Sequence, residues 1–166
     1  LKFYSLEGGL VKNGHGVSVV TEKLATSVID PHVVLIPGGW GTRVEIDNKL
    51  LIEQIKAISL TSEYVLTVCT GSALLAKTGL LDGKTATSNK RAYAWVTSIS
   101  EDVLWDPKAR WTIAGKYYTS SGVSAGMDMA LGFLSDRHGL AFARKVAAEI
   151  EYNWIEDMRN DSFVAK

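Results

Sequence analysis

The chain alternates short, continuous apolar runs with longer stretches in which apolar residues recur at helical spacing. His32-Val33-Val34-Leu35-Ile36 and Tyr64-Val65-Leu66-Thr67-Val68 are apolar at nearly every position, the pattern of strands buried on both faces of a parallel sheet. Between them Leu50, Leu51, Gln54, Ile55 and Ile58 mark one side of a helix, with Asp47 placed to cap it. Thr70 to Lys77 reads as the helix after the second run. Leu1 to Leu6 reads as a strand broken at Gly8-Gly9, and Val17 to Val20 as another. Lys84 to Thr87, Val103 to Trp105, Arg110 to Ala114 and Lys116 to Thr119 read as further strands, with a short helix over Arg91 to Val96.

Toward the C-terminus, Val123, Met127, Ala130, Leu131 and Leu134 align on a helix that Gly139 ends. A second helix is expected from Leu140 to about Trp154, with Ala143, Val146, Ala147 and Ile150 inward. The tail, Glu156 to Lys166, is polar and expected to be peripheral. Strands alternating with helices predict an α/β sandwich around a mainly parallel sheet. No linker, repeat or low-complexity segment divides the chain, so residues 1–166 read as one domain. The chain opens inside a strand, without an initiator Met or a signal-peptide pattern. It therefore reads as a piece entered from a preceding element.

Composition narrows the function classes. Lys+Arg and Asp+Glu both total 18, so the formal net charge is zero. A nucleic-acid or membrane-surface partner would call for a basic excess, and neither is expected. No apolar run approaches the roughly 20 residues that span a bilayer. The single cysteine cannot form an internal disulfide, which suits a reducing, cytoplasmic setting.

That cysteine, Cys69, sits where the Tyr64–Val68 strand meets the small residues Thr70-Gly71-Ser72-Ala73. A strand–turn–helix elbow lifts one side chain above the end of a sheet and sets it at a helix N-terminus, where a thiolate is favoured. A lone cysteine in an apolar strand is most often an inert buried residue; the junction is what makes Cys69 a candidate nucleophile. A second loop at a strand end, Pro37-Gly38-Gly39-Trp40-Gly41-Thr42-Arg43, has three glycines in four positions. The Gly39 and Thr70 amides together would form an oxyanion hole, and the Thr70 hydroxyl could bond a reacting group. The loop lacks the spacing of a phosphate loop. Thr42 and Arg43 could hold a substrate carboxylate, with a surface ion pair the competing role for Arg43. His15, His32 and His138 form no pattern, and none is expected to be the catalytic base. Core packing is the expected role for most of Tyr93, Trp95, Trp105 and Trp111.

Four blocks carry a family resemblance. Ile36-Pro37-Gly38-Gly39-Trp40-Gly41-Thr42-Arg43, Val68-Cys69-Thr70-Gly71-Ser72, Gly79 to Thr87, and Tyr118 to Leu131 resemble the ThiJ/PfpI superfamily. The resemblance implies a flavodoxin-like three-layer sandwich related to class I glutamine amidotransferases. Its closest likeness is to the isonitrile hydratase branch, which also resembles sensor domains of AraC-type regulators. It implies a homodimer acting on a small-molecule substrate without metal or organic cofactor. Cys69, Thr70 and Gly39 would be catalytic, with Gly38, Trp40, Gly41, Asn89 and Ser121 around the substrate. Cys69 would attack an isonitrile carbon, and water addition would release an N-substituted formamide. The family's acidic partner to the cysteine belongs to a first strand–helix unit that this sequence does not contain, and Glu7 is not its equivalent. Many members carry a histidine where this chain has Asn89, and Asn cannot take a proton at neutral pH. That disfavours protease, amidase and deglycase chemistry. A non-enzymatic thiol sensor or ligand-binding domain, related to the AraC-type sensor domains, is the alternative, with an amidase- or deglycase-like member behind it.

Overall fold

Tyr64–Val68 (β5) becomes the centre of the molecule because both of its faces are apolar. In the computed structural model, which describes residues 1–24, 30–159 and 161–164, it lies between Val33–Ile36 (β4) and Tyr117–Ser120 (β9), parallel to both. Trp111–Ala114 (β8) pairs antiparallel with β9 at the far edge, giving the order β4-β5-β9-β8. Successive side chains of a strand alternate in direction, so Val65 and Tyr117 enter one layer while Leu66 and Tyr118 enter the other. The first layer holds Lys49–Thr61 (α2), Gly71–Lys77 (α3) and Tyr93–Thr97 (α4) through Ile55, Ala73, Leu75 and Val96. The second holds Val123–His138 (α5) through Met129 and Phe133. Tyr64, Tyr118 and Phe133 meet edge to face there, with ring centroids 5.1–6.5 Å apart. Helices on both faces of a mainly parallel sheet make the expected three-layer sandwich. Each fully buried Leu or Val contributes about 1.5–3 kcal/mol over its exposed state.

Several local expectations change. The helix cap is Asn48, whose side chain accepts from the Leu51 N–H at 3.2 Å, and not Asp47. Leu50 is exposed, and the buried positions of α2 are Ile55, Ile58 and Ser59. Strand β4 is not covered on both faces: Val33 and Leu35 are exposed on an edge strand. At the N-terminus only Tyr4–Ser5 (β1) is strand. The expected break at Gly8-Gly9 opens Gly9–Lys12 (β2), which pairs antiparallel with Ser18–Lys23 (β3) in a separate three-stranded sheet. Thr42–Glu45 (α1) adds one helical turn after the glycine loop. Thr85–Ala86 (β6) and Leu104–Trp105 (β7) form a small parallel pair.

The C-terminal third differs most. Val123 and Met127 are exposed, and the inward face of α5 is Ala125, Gly126, Asp128, Met129, Leu131 and Gly132. Leu140–Glu149 (α6) ends five residues before Trp154, near Glu151 at a positive φ of 53°, and Ile150 is exposed rather than inward. The tail is not peripheral. The Arg110 and Trp111 amides donate to the Met158 carbonyl, Met158 packs on the second core, and Asp161 is buried. Polar composition misled there because Asp161 has buried partners. Residues 160, 165 and 166 of the expected tail lie outside the described residues.

Candidate active site

Strand β5 hands the chain to α3 through Cys69, which holds φ at +59°. This left-handed region is uncommon for a residue with a side chain and costs of order 1–3 kcal/mol, so the surroundings must over-determine it. They do so from four directions. The Cys69 N–H donates to the Ser120 carbonyl at 3.2 Å. The Cys69 carbonyl accepts two hydroxyls, Ser72 Oγ at 3.0 Å and Ser88 Oγ at 2.9 Å. Gly71 lies so close to β4 that a Cβ there would sit 2.3 Å from the Ile36 carbonyl oxygen, and a Cβ on Gly38 would sit 2.6 Å from the Thr70 nitrogen. A Cβ on Gly126 of α5 would sit 2.8 Å from Val68. The thiol itself is free and only partly buried.

The glycine loop meets the elbow as expected, but with a different bonding pattern. The Gly39 N–H donates to Thr70 Oγ1 at 2.9 Å. Thr42 Oγ1 donates to the Gly39 carbonyl at 2.7 Å and lies 3.0 Å from Thr70 Oγ1. Thr70 is therefore a buried clasp between two loops, and its hydroxyl faces the glycine loop rather than a reacting group. One of the two expected oxyanion donors is committed internally. The Thr70 N–H makes no hydrogen bond among the described residues.

Trp40 is 82% exposed, and the Arg43 guanidinium stacks between Trp40 and Trp95, 4.7 and 4.5 Å from their ring centroids. These cation–π contacts, rather than a surface ion pair, hold the guanidinium among the described residues. Gly41 caps α1.

Asn89 and Ser121 fall together on one cavity wall. Asn89 Oδ1 accepts the Arg91 and Ala92 amides at 3.1 Å each and starts the turn before α4. With Ser121 it lines a cavity of about 380 Å³ that neither Cys69 nor the glycine loop borders. Ser88 and Ser120, the neighbours of Asn89 and Ser121, both hold the Cys69 backbone.

His32 pairs with Glu63 at 3.2 Å, exposed, at the start of the strands and away from Cys69. His138 lies against Phe142 at the end of α5, and His15 sits in the β2–β3 turn. Trp111 is a core residue, with Trp95 and Trp105 packed against the other core. Sequence reasoning missed Ser72, Ser88 and Ser120. Ser72, three residues past the cysteine, had a readable signal; Ser88 and Ser120 meet the elbow only through the fold.

No helix among the described residues is long and apolar enough to cross a membrane. Among known proteins, the chain is 30% identical over 120 residues to isonitrile hydratase from Pseudomonas putida, covering 72% of this chain and 51% of that protein. It is 27% identical over 158 residues to the HTH-type transcriptional regulator GbdR of Pseudomonas aeruginosa, covering 95% of this chain and 41% of the regulator. The chain therefore spans about half the length, or less, of these curated relatives. A crystal structure of a ThiJ/PfpI family protein from Pseudomonas syringae superposes with a TM-score of 0.77 at 22% identity, over 92% of this chain and 62% of that one, which establishes the shared fold. The DJ-1/PfpI family pattern matches residues 1–136, from the first strand through the elbow to α5. The chain belongs to the DJ-1/PfpI family.

Proposed function

We propose that the chain carries a cysteine-dependent hydratase activity that adds water to a small isonitrile. The observation that carries this reading is Cys69 itself, held at φ +59° on the elbow by Ser72, Ser88 and Ser120. A strained backbone that three separate elements hold in place suits a side chain whose position matters to chemistry. The similarity to isonitrile hydratase supports the choice of reaction.

In this reading the Cys69 sulfur bonds to the terminal isonitrile carbon and the thiol proton is delivered to the same carbon, leaving an enzyme-bound thioformimidate. Water then adds to that carbon and one of its protons passes to nitrogen. The carbon–sulfur bond breaks, the thiol is restored, and an N-substituted formamide leaves. Nothing is oxidised or reduced. The free Thr70 N–H is the donor beside the reacting carbon. The Gly39 N–H joins it only by turning away from Thr70 Oγ1.

The test is formamide production from a panel of alkyl and aryl isonitriles, followed by NMR on the full-length protein. Turnover that disappears in Cys69→Ala is expected. An unchanged rate in that variant, or no formamide from any isonitrile, refutes the reading. A ligand-binding or thiol-sensing regulator domain is the second reading. The observation favouring it is that the similarity to GbdR runs over 95% of this chain, against 72% for isonitrile hydratase.

A further inference from the structure

The cavity beside the elbow has a charge arrangement that the Cys69 chemistry does not use. Its walls include Lys90, Arg91 and Arg110 against one carboxylate, Asp161. The Arg110 side chain is only 4% exposed. Its Nε donates to Asp128 at 2.7 Å and its Nη2 touches the same carboxylate oxygen at 2.5 Å. Nη1 is left with a 3.6 Å ion pair to Asp161 and no hydrogen bond among the described residues. Nη2 also donates to Ser124 Oγ at 3.4 Å, so Nη1 is the one guanidinium nitrogen that faces the cavity without a hydrogen bond among the described residues.

Lys90 is under-used too. Its ammonium donates to Thr87 Oγ1 at 2.9 Å and to the Ala109 carbonyl at 2.7 Å, which leaves a third N–H. It has no carboxylate within ion-pair distance among the described residues. Burial pulls its pKa below the usual lysine value, partly offset by the more distant Asp161 and Asp106. The N-terminus of the 16-residue α5 opens on the same space, because Gly122 supplies no side-chain cap and Gly122, Ser124 and Ala125 are wall residues.

The tail identifies the matching chemistry. Asp161 is the one acidic wall residue, and it faces the under-used side of Arg110 at a distance too long for a hydrogen bond. It is retained by the Ser121 hydroxyl and by the Phe163 amide at 3.0 Å. A carboxylate is thus already accommodated there, imperfectly. Ser121, Ser124 and Asn89 also line it, each with its oxygen already bonded within the chain, and Ala125 and Phe163 form an apolar wall. About 380 Å³ is within the range of small-ligand sites.

We propose that this cavity is a second binding site, taking a small organic carboxylate that contacts Arg110 and Lys90 in competition with Asp161 of the chain's own tail. Planar two-point contact with a guanidinium favours a carboxylate. Binding loosens Asp161 to Val164, because Arg110 is one of the groups that holds Asp161. The inference stands apart from turnover at Cys69.

The experiment is calorimetric titration of the full chain with butyrate, succinate and phenylacetate, each against its uncharged primary amide, in wild-type, Lys90→Met, Arg91→Gln and Cys69→Ala proteins. Circular dichroism checks that each variant is folded. At least one acid is expected to bind ten times or more tightly than its amide. Its affinity should fall about tenfold or more in Lys90→Met, fall less and mainly at low salt in exposed Arg91→Gln, and stay within twofold in Cys69→Ala. Amide exchange of residues 161–164 should speed up with ligand bound. Equal binding of acid and amide, no acid binding below 10 mM, or affinity unchanged in both Lys90→Met and Arg91→Gln overturns the site. Loss of binding in Cys69→Ala overturns its separateness from the thiol, and unchanged tail exchange overturns the competition with Asp161.

Discussion

Asp128 is the point at which the C-terminal tail is tied to the body of the molecule. The carboxylate is fully buried and takes four partners. Oδ2 accepts Arg110 Nε and touches Nη2, while Oδ1 accepts the Tyr152 hydroxyl at 3.1 Å and the Ile155 amide at 3.0 Å. The neighbouring Asp128 carbonyl accepts Trp154 Nε1 at 3.1 Å. Asp128→Asn keeps the shape but removes the charge and turns one acceptor into a donor facing donors. It leaves Arg110 buried with only Asp161 at 3.6 Å as counter-ion. Breaking one partner of a buried ion pair costs about 3–5 kcal/mol, a large share of the roughly 5–15 kcal/mol that holds a domain together. With a urea dependence of about 2 kcal/mol per molar, the unfolding midpoint should drop by roughly 2 M. The control is Glu156→Gln. Glu156 also anchors the tail, through two bonds to Arg144 at 2.8 and 2.9 Å, but in the open. An exposed pair of that kind is worth about 0–1 kcal/mol. If Asp128→Asn moved the midpoint no further than Glu156→Gln, burial would not be what gives this network its strength.

Two further predictions test the elbow and the core. Gly71→Ala should destabilise by about 1–3 kcal/mol or more, because the new Cβ would lie 2.3 Å from the Ile36 carbonyl oxygen and 2.9 Å from that of Pro37, backbone atoms that cannot rotate away. Gly41→Ala, with nothing within 4 Å, should stay within about 0.5 kcal/mol, and thermal melts compare the two. Of the six tyrosines, Tyr93 and Tyr118 are pushed to about 12, each by burial first, with the charge of Asp106 acting on Tyr93 and the Asp136 hydrogen bond on Tyr118. Ultraviolet titration should therefore show at least two phenols ionising near pH 12. Because the folded values lie above the unfolded value near 10, this contribution to stability is complete below pH 10 and is lost as pH rises from 10 to 12. Phenols all titrating near 10 in folded protein would refute it.

The local features of this protein were legible in its residues. A fully apolar five-residue run, a cysteine, then four small residues can hardly form anything but a strand, a tight turn and a helix, and β5, Cys69 and α3 stand where that pattern put them. The glycines of the Pro37 loop likewise announced a close backbone approach, and Gly38 packs directly on Thr70. Solvent exposure was less legible. Strand β4 is as apolar as β5 but lies at a sheet edge, and periodicity carries no information about which neighbour covers a strand.

What only the tertiary structure decided is which distant groups meet. Ser88 reaches the Cys69 carbonyl from 19 residues away, Gly39 spends its amide on Thr70 across 31, and Asp161 meets Ser121 across 40. Each contact depends on the register of parallel strands and the path of a loop, set by packing of the whole core rather than by any neighbouring residue. The sequence by itself determined that one thiol would stand on a strand–turn–helix elbow. The tertiary structure decided that serines hold it, that one expected oxyanion donor is engaged elsewhere, and that Asn89 and Ser121 border a cation-lined cavity.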